Sequence, residues 1–194
     1  MTKLNGLKKI NVAVFISGKG SNLKNLIKNS KKHNSRFKIS LVISNNSRAL
    51  GLKFAQKFNI TKKVINLNKK SLIEKKLIFI LEKKKIDIIC LAGFMKILSK
   101  NFIKKFNGKI LNIHPSLLPK YKGLNTHMRA IRNKEKYSGC TVHFVNSKLD
   151  SGKIILQKKV KIFKKDTPKT LASRVLIQEH VLYSKAINKI IANL

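Results

Sequence analysis

Short β-branched runs alternate with amphipathic stretches through the first half of the chain. Residues 12–16, 37–43, 63–67, 86–91 and 109–113 read as strands. Between them, residues 21–29 place Leu23, Leu26 and Ile27 on one side of a helix, and residues 48–58 space Leu50, Phe54 and Phe58 helically. Residues 71–84 read as helical, and residues 99–106 as a short helix carrying Phe102, Ile103 and Phe106. This βαβα rhythm predicts an α/β fold with a doubly wound, mostly parallel sheet. The second half changes character. Residues 114–125 form a long loop with two prolines and a glycine, and residues 126–132 a short helix. Residues 140–145 and 153–161 read as strands joined by a turn at Asp150-Ser151-Gly152, which predicts an antiparallel C-terminal extension of the sheet. Pro168 stands at the start of a long C-terminal helix over 169–191. With no linker, repeat or low-complexity block to divide it, the chain of 194 residues reads as one domain over 1–194.

Composition changes this picture in one respect, which is charge. The chain holds 44 Lys+Arg against 7 Asp+Glu, a net charge of +37, yet an ordinary 43% of hydrophobic residues, enough for a core. A nucleic-acid or anionic-membrane binder is one reading. Lysine-rich drift on solvated faces is the other, and the distribution favours it. Only five basic residues are arginine, and the lysines run the whole length instead of gathering in one arm. No specific nucleic-acid partner is therefore expected. Cys90 and Cys140 lie far apart with no metal-ligand spacing, so neither a disulfide framework nor a zinc site is indicated. No apolar run approaches the ~18 residues of a membrane span. Lys8 and Lys9 precede an apolar run, but Asn11 interrupts it and no small-residue cleavage site follows. A cytoplasmic protein without a membrane partner is expected.

The most informative stretch is Leu111-Asn112-Ile113-His114-Pro115-Ser116-Leu117-Leu118-Pro119. Asn112 and His114 are two apart on a strand, so their side chains share a face. One is a neutral hydrogen-bond donor and the other a donor that can carry a proton. Such a pair suits an oxyanion that forms and then collapses with proton transfer. Ser17-Gly18-Lys19-Gly20-Ser21-Asn22 follows the first strand and opens the first helix. There glycines allow a sharp turn and free amides can face an anion. Leu91-Ala92-Gly93-Phe94-Met95 ends another parallel strand, where such sheets bind ligands. Asp150 stands out because acids are scarce. It is either a turn residue or a carboxylate that would favour a protonated His114. Glu179 and His180 fall in the last helix, where a solvated face is the default. His33, His127 and His143 show no metal-ligand arrangement.

Taken together and in order, these motifs closely resemble the phosphoribosylglycinamide formyltransferases, folate-dependent enzymes of purine synthesis. The matching segments are 16–23, 91–99, 111–120, Val142 to Val145 with Leu149-Asp150, and Gln178-Glu179-His180. The resemblance runs through nearly the whole chain from Ile10. It implies the formyltransferase fold and transfer of a formyl group from 10-formyltetrahydrofolate, as co-substrate and without a metal, to the amine of glycinamide ribonucleotide. It implies Asn112, His114 and Asp150 as the catalytic trio. Gly20, Ser21 and Asn22 become the ribonucleotide phosphate cradle, and Glu179 a carboxylate at its ribose. Lys70, Met95, Lys96, Ile97 and Leu98, with Asn112, become the folate-side residues. A monomer or homodimer is expected. The sequence departs from the family pattern at Lys19, Lys96, Lys122, Asn125 and Leu176, which touches the binding loops and not the trio. Related formyl enzymes, a formyltetrahydrofolate hydrolase or a methionyl-tRNA formyltransferase, share the Asn-x-His-Pro chemistry but carry an additional domain for which this sequence shows no residues.

Overall fold

The computed structural model describes residues 9–66 and 70–193. Seven strands form one sheet in the order β3-β2-β1-β4-β5-β6-β7. Strands β1 (Ile10–Ile16), β2 (Phe37–Ser44), β3 (Lys62–Val64), β4 (Ile88–Leu91) and β5 (Lys109–His114) are parallel; β6 (Tyr137–Phe144) and β7 (Ile154–Lys161) add antiparallel. The chain winds outward from β1 to β3, then crosses back to lay β4 on the other side of β1. The carboxyl ends of β1 and β4 thus diverge at a switch point, where ligands enter such sheets.

Alternation along the strands explains why the sheet is covered on both faces. Val12, Val14 and Ile16 pack with α1 (Ser21–Ser30), α2 (Leu52–Lys57) and α6 (Pro168–Ile191), while Ala13 and Phe15 pack with α3 (Lys70–Lys83) and α4 (Lys100–Lys105). Strand β5 obeys the same rule: Leu111 and Ile113 face the first layer, Ile110 the second. Asn112 and His114 therefore continue the Ile110 face past the end of the core, as their spacing requires. Tyr183 of α6 is fully buried, and its hydroxyl lies 3.0 Å from the Leu91 carbonyl and 3.1 Å from that of Leu111. It joins the carboxyl ends of β4 and β5 from the helix side.

The elements expected from periodicity are present, with boundary changes that have local causes. The expected helix over 48–58 is confined to α2, because residues before it turn: the Arg48 amide donates to Asn46 Oδ1, and the Gly51 amide to the Gly18 carbonyl. β6 starts at Tyr137, earlier than expected, because it pairs with β7 from Tyr137↔Lys161 onward. At Gly139 a Cβ would come within 2.1 Å of the Lys158 carbonyl, so glycine here is a close-approach residue and not a turn. The expected strand over 63–67 is shorter, since β3 ends at Val64; Ile65 and Asn66 follow it beyond the strand, and Leu67 lies outside the described residues. Helix α6 begins on a capping box: Thr167 accepts from the Thr170 amide, Thr170 returns a bond to the Thr167 amide, and Pro168 follows at the first position. No helix among the described residues is long and apolar enough to cross a membrane.

Candidate active site

The site forms at the carboxyl end of β5, where three segments meet. His114 ends β5, and Asn112 lies directly opposite His143 of β6 in the antiparallel register. The loop between β6 and β7 turns back at Asp150, whose φ of 43° is left-handed, a region Asp tolerates. The turn can approach so closely because Gly152 has no side chain: a Cβ there would lie 1.7 Å from the Phe144 carbonyl. The loop after β5 supplies the third side.

These segments put Asp150 between both expected partners. Its Oδ2 lies 3.3 Å from His114 Nδ1 and accepts from the Gly123 amide at 2.9 Å; its Oδ1 accepts from Asn112 Nδ2 at 3.3 Å. Asn112 Nδ2 also lies 3.2 Å from His143 Nε2, and His143 Nδ1 lies 2.8 Å from the Phe144 carbonyl. A carbonyl only accepts, so His143 carries its proton on Nδ1 and receives the Asn112 amide on Nε2. His114 Nε2 lies 2.9 Å from the Tyr121 carbonyl, which by the same reasoning accepts a hydrogen bond from a protonated Nε2. Both ring nitrogens of His114 thus face acceptors, a seat that is fully satisfied only by the imidazolium.

Burial works against that charge. His114 is 5% exposed, and desolvation draws its pKa below the usual imidazole value; the Tyr121 carbonyl and Asp150 oppose this, and His143 and Arg129 add to it. Asp150 thus favours the protonated ring in the expected direction, and burial outweighs it. Burial alone would raise the Asp150 carboxyl, but His143, the Gly123 amide and His114 together hold it below the ordinary carboxylate value.

The glycine turn has a more specific structure than its composition implies. Gly20 caps α1 in a left-handed conformation, φ 72°, with no side-chain cap, which leaves the first-turn amides of Ser21, Asn22 and Leu23 without helical acceptors. The Gly20 Cα packs against Gly51, where a Cβ would lie 2.6 Å from the Gly51 Cα. Asn22 Nδ2 donates to Glu179 Oε2 at 2.7 Å, so the expected cradle and the expected ribose carboxylate share one buried cluster. Glu179 is no solvated helix face: burial raises its pKa, which the Asn22 bond partly offsets.

The folate-side expectations divide. Met95 and Ile97 are about two-thirds exposed and Lys96 is exposed, at the rim beyond β4, whereas Leu98 is buried in the α3/α4 core. Lys70 opens α3, and its side chain lies outside the described residues. Several residues that hold the site were not among the expected site residues. Ser17 Oγ accepts from the Met95 amide and donates to Asn45, tying the loops after β1, β2 and β4 together. Glu74 accepts from the Ser99 amide at 2.9 Å and from its hydroxyl, anchoring the far end of the Met95–Leu98 segment. His143 could have been found from its alternation with Cys140-Thr141-Val142 on a strand paired to β5, and Ser17 from its place at the head of the glycine turn; Glu74 has no local signal. Among the described residues no group of three His, Cys, Asp or Glu converges as a metal site.

The comparisons with known proteins bear on this geometry. The chain matches the formyl transferase family over residues 10–187. It is 39% identical over 182 residues to the phosphoribosylglycinamide formyltransferase of Escherichia coli K12, covering 92% of this chain and 86% of that one. The chain belongs to the phosphoribosylglycinamide formyltransferases. A crystal structure of the phosphoribosylglycinamide formyltransferase of Anaplasma phagocytophilum superposes with a TM-score of 0.89 at 45% identity, covering 96% of this chain and 88% of that one. The human trifunctional purine biosynthetic protein adenosine-3 is 47% identical over 183 residues, which are 93% of this chain and 18% of the human protein. The chain thus spans about a fifth of that relative's length, and corresponds to one portion of it.

Proposed function

We propose that Asn112, His114 and Asp150 carry out formyl transfer from 10-formyltetrahydrofolate to the primary amine of glycinamide ribonucleotide. The observation that carries this reading is the convergence of Asn112 and His114 on the Asp150 carboxylate at the end of β5. When the amine attacks the formyl carbon, its oxygen becomes an oxyanion. The Asn112 contacts at 3.2 and 3.3 Å are long for N–H donors, so this amide can turn to the stronger acceptor. The new negative charge also favours protonation of His114, which burial otherwise disfavours. Protonation and attack are thereby coupled: the ring takes a proton from solvent as the oxyanion forms and returns it on collapse, and Nε2–H exchanges the Tyr121 carbonyl for that oxygen. Asp150 compensates the imidazolium and accepts the proton leaving the amine, through water; as the oxyanion collapses the bond from the formyl carbon to N10 breaks, and that proton passes to N10 of the departing tetrahydrofolate. A donor of this kind is typically worth about 3–4 kcal/mol at a dry site.

Gly20, Ser21 and Asn22 hold the ribonucleotide phosphate on the free amides of α1, and Glu179 meets the ribose hydroxyls. Met95, Lys96 and Ile97 line the folate rim. Residues 1–194 act as a single formyltransferase domain, working in the cytoplasm as a monomer or homodimer with no specific nucleic-acid or membrane partner. The test is to follow tetrahydrofolate release with and without glycinamide ribonucleotide. Release should require the ribonucleotide, and methionyl-tRNA should not replace it. Equal release without it would make the protein a hydrolase and overturn the reading.

A further inference from the structure

Two backbone groups in the loop after β5 complete the His114–Asp150 pair: the Tyr121 carbonyl meets His114 Nε2, and the Gly123 amide meets Asp150 Oδ2. Tyr121 and Gly123 both have left-handed backbones, φ 57° and 77°. A tyrosine rests there only where its surroundings hold it. On the facing helix α5 (Thr126–Arg132), Arg129 supplies that hold. Its Nη1 donates to the Lys122 carbonyl at 2.7 Å and to the Leu124 carbonyl at 3.3 Å, the two carbonyls on either side of Gly123. Its guanidinium carbon stands 5.1 Å from the centre of the Tyr121 ring. The Tyr121 hydroxyl in turn donates to Glu135 at 2.8 Å and accepts from Asn133 at 3.0 Å. A planar guanidinium that covers an aromatic face while its outer nitrogen reaches both carbonyls is a geometry lysine, one bond shorter and with no planar group, cannot reproduce.

We propose that Arg129 is a positioning residue, which grips the carbonyls of Lys122 and Leu124 so that the Gly123 amide is aimed at Asp150 and the carboxylate is fixed for His114. The proposal rests on the catalytic reading of Asp150 given above. Arg129 itself touches no reacting atom. Other groups also set the charge here: His114 and Asn112 from β5, His143 from β6, and His127 of α5, which faces His114. The assignment to Arg129 must therefore be separated from charge alone.

The chain has only three aspartates, Asp87, Asp150 and Asp166, so carboxyl-carbon NMR on the aspartate-labelled full chain can follow each one. Arg129→Lys keeps the charge and the alkyl stem but loses the planar group over Tyr121 and the reach that brings one nitrogen to both carbonyls; Arg129→Gln loses the charge as well; Arg132→Gln removes an exposed charge from the same helix. In both Arg129 variants Asp150 should titrate at higher pH than in the wild type, and in Arg132→Gln it should not move. The acid limb of the formyl-transfer pH profile should move the same way, with kcat falling about tenfold, the scale of a weakened hydrogen bond to a charged group, and KM changing much less. An unmoved Asp150 in a folded Arg129→Lys, or movement in Arg129→Gln alone, overturns the proposal. If Asp150 moves in both variants while turnover stays at the wild-type level, Arg129 keeps its assignment and the catalytic reading of Asp150 falls instead.

Discussion

Asp150 makes four contacts to three different segments, and its charge is what separates them from ordinary turn chemistry. Asp150→Asn keeps the size and can still accept from Gly123, but it cannot compensate an imidazolium. The variant should fold and bind both substrates, lose most single-turnover formyl transfer, and show His114 titrating at still lower pH by NMR; near-normal transfer would return Asp150 to the status of a turn residue. Glu179 gives a test of opposite sign. Because burial raises its native pKa above the unfolded value, the native state binds the extra proton, and wild-type stability falls as pH rises from the ordinary carboxylate range through that raised value. Glu179→Gln removes the penalty, and its new amide can reach Asn22 Oδ1, a buried oxygen with no hydrogen-bond partner among the described residues. Melting temperature should therefore rise in Glu179→Gln at pH 8 and change less at pH 5, while ribonucleotide binding weakens. At this scale the sequence was legible where chemistry is concentrated in a side chain, as in Asn112, His114 and Asp150. It was silent where the partner is backbone, as with the Tyr121 carbonyl, because any residue type carries one.

Among the elements, strand and helix identity followed from periodicity because each β-strand alternates between two apolar layers and each long helix buries one stripe. Boundaries failed where polar side chains tie the backbone into turns, as Asn46 does before α2, or where polar and glycine residues open a paired strand, as Tyr137, Ser138 and Gly139 do on β6. The glycine turn was legible as a break, but its physical reason was not: Gly20 must be glycine because Gly51, 31 positions on, packs against its Cα. Gly20→Ala should lower stability by at least ~1 kcal/mol from the left-handed backbone alone, and more from the clash with Gly51. Gly18→Ala, where a Cβ meets nothing within 4 Å, should be tolerated in a denaturant melt. Equal losses at the two positions would mean that the turn, and not the Gly20–Gly51 approach, sets the constraint.

For the whole molecule, the acids are few and mostly engaged internally, Glu74 with Ser99, Asp87 with Asn11, Glu135 with Tyr121, and Asp166 with Arg174. The surface is left nearly uniform in sign. Raising ionic strength from about 0.01 M to about 0.15 M shortens the screening length from ~30 Å to ~8 Å, so the melting temperature should rise with salt as self-repulsion is screened. RNA binding should be weak, sequence-independent and steeply salt-sensitive; a tight, selective complex at physiological salt would contradict the dispersed-charge reading. The hydroxyl that Tyr183 places between the Leu91 and Leu111 carbonyls has an optical consequence. The chain has no tryptophan and three tyrosines, so phenolate absorbance near the red edge of the tyrosine band is a count of ionised rings. Burial holds the Tyr183 phenol far above the usual value. In an alkaline titration the Tyr183 ring can darken only when the sheet opens. Its step should therefore be cooperative, coincide with loss of helical circular dichroism, and vanish in Tyr183→Phe, which would make this one phenol a built-in clock for global unfolding.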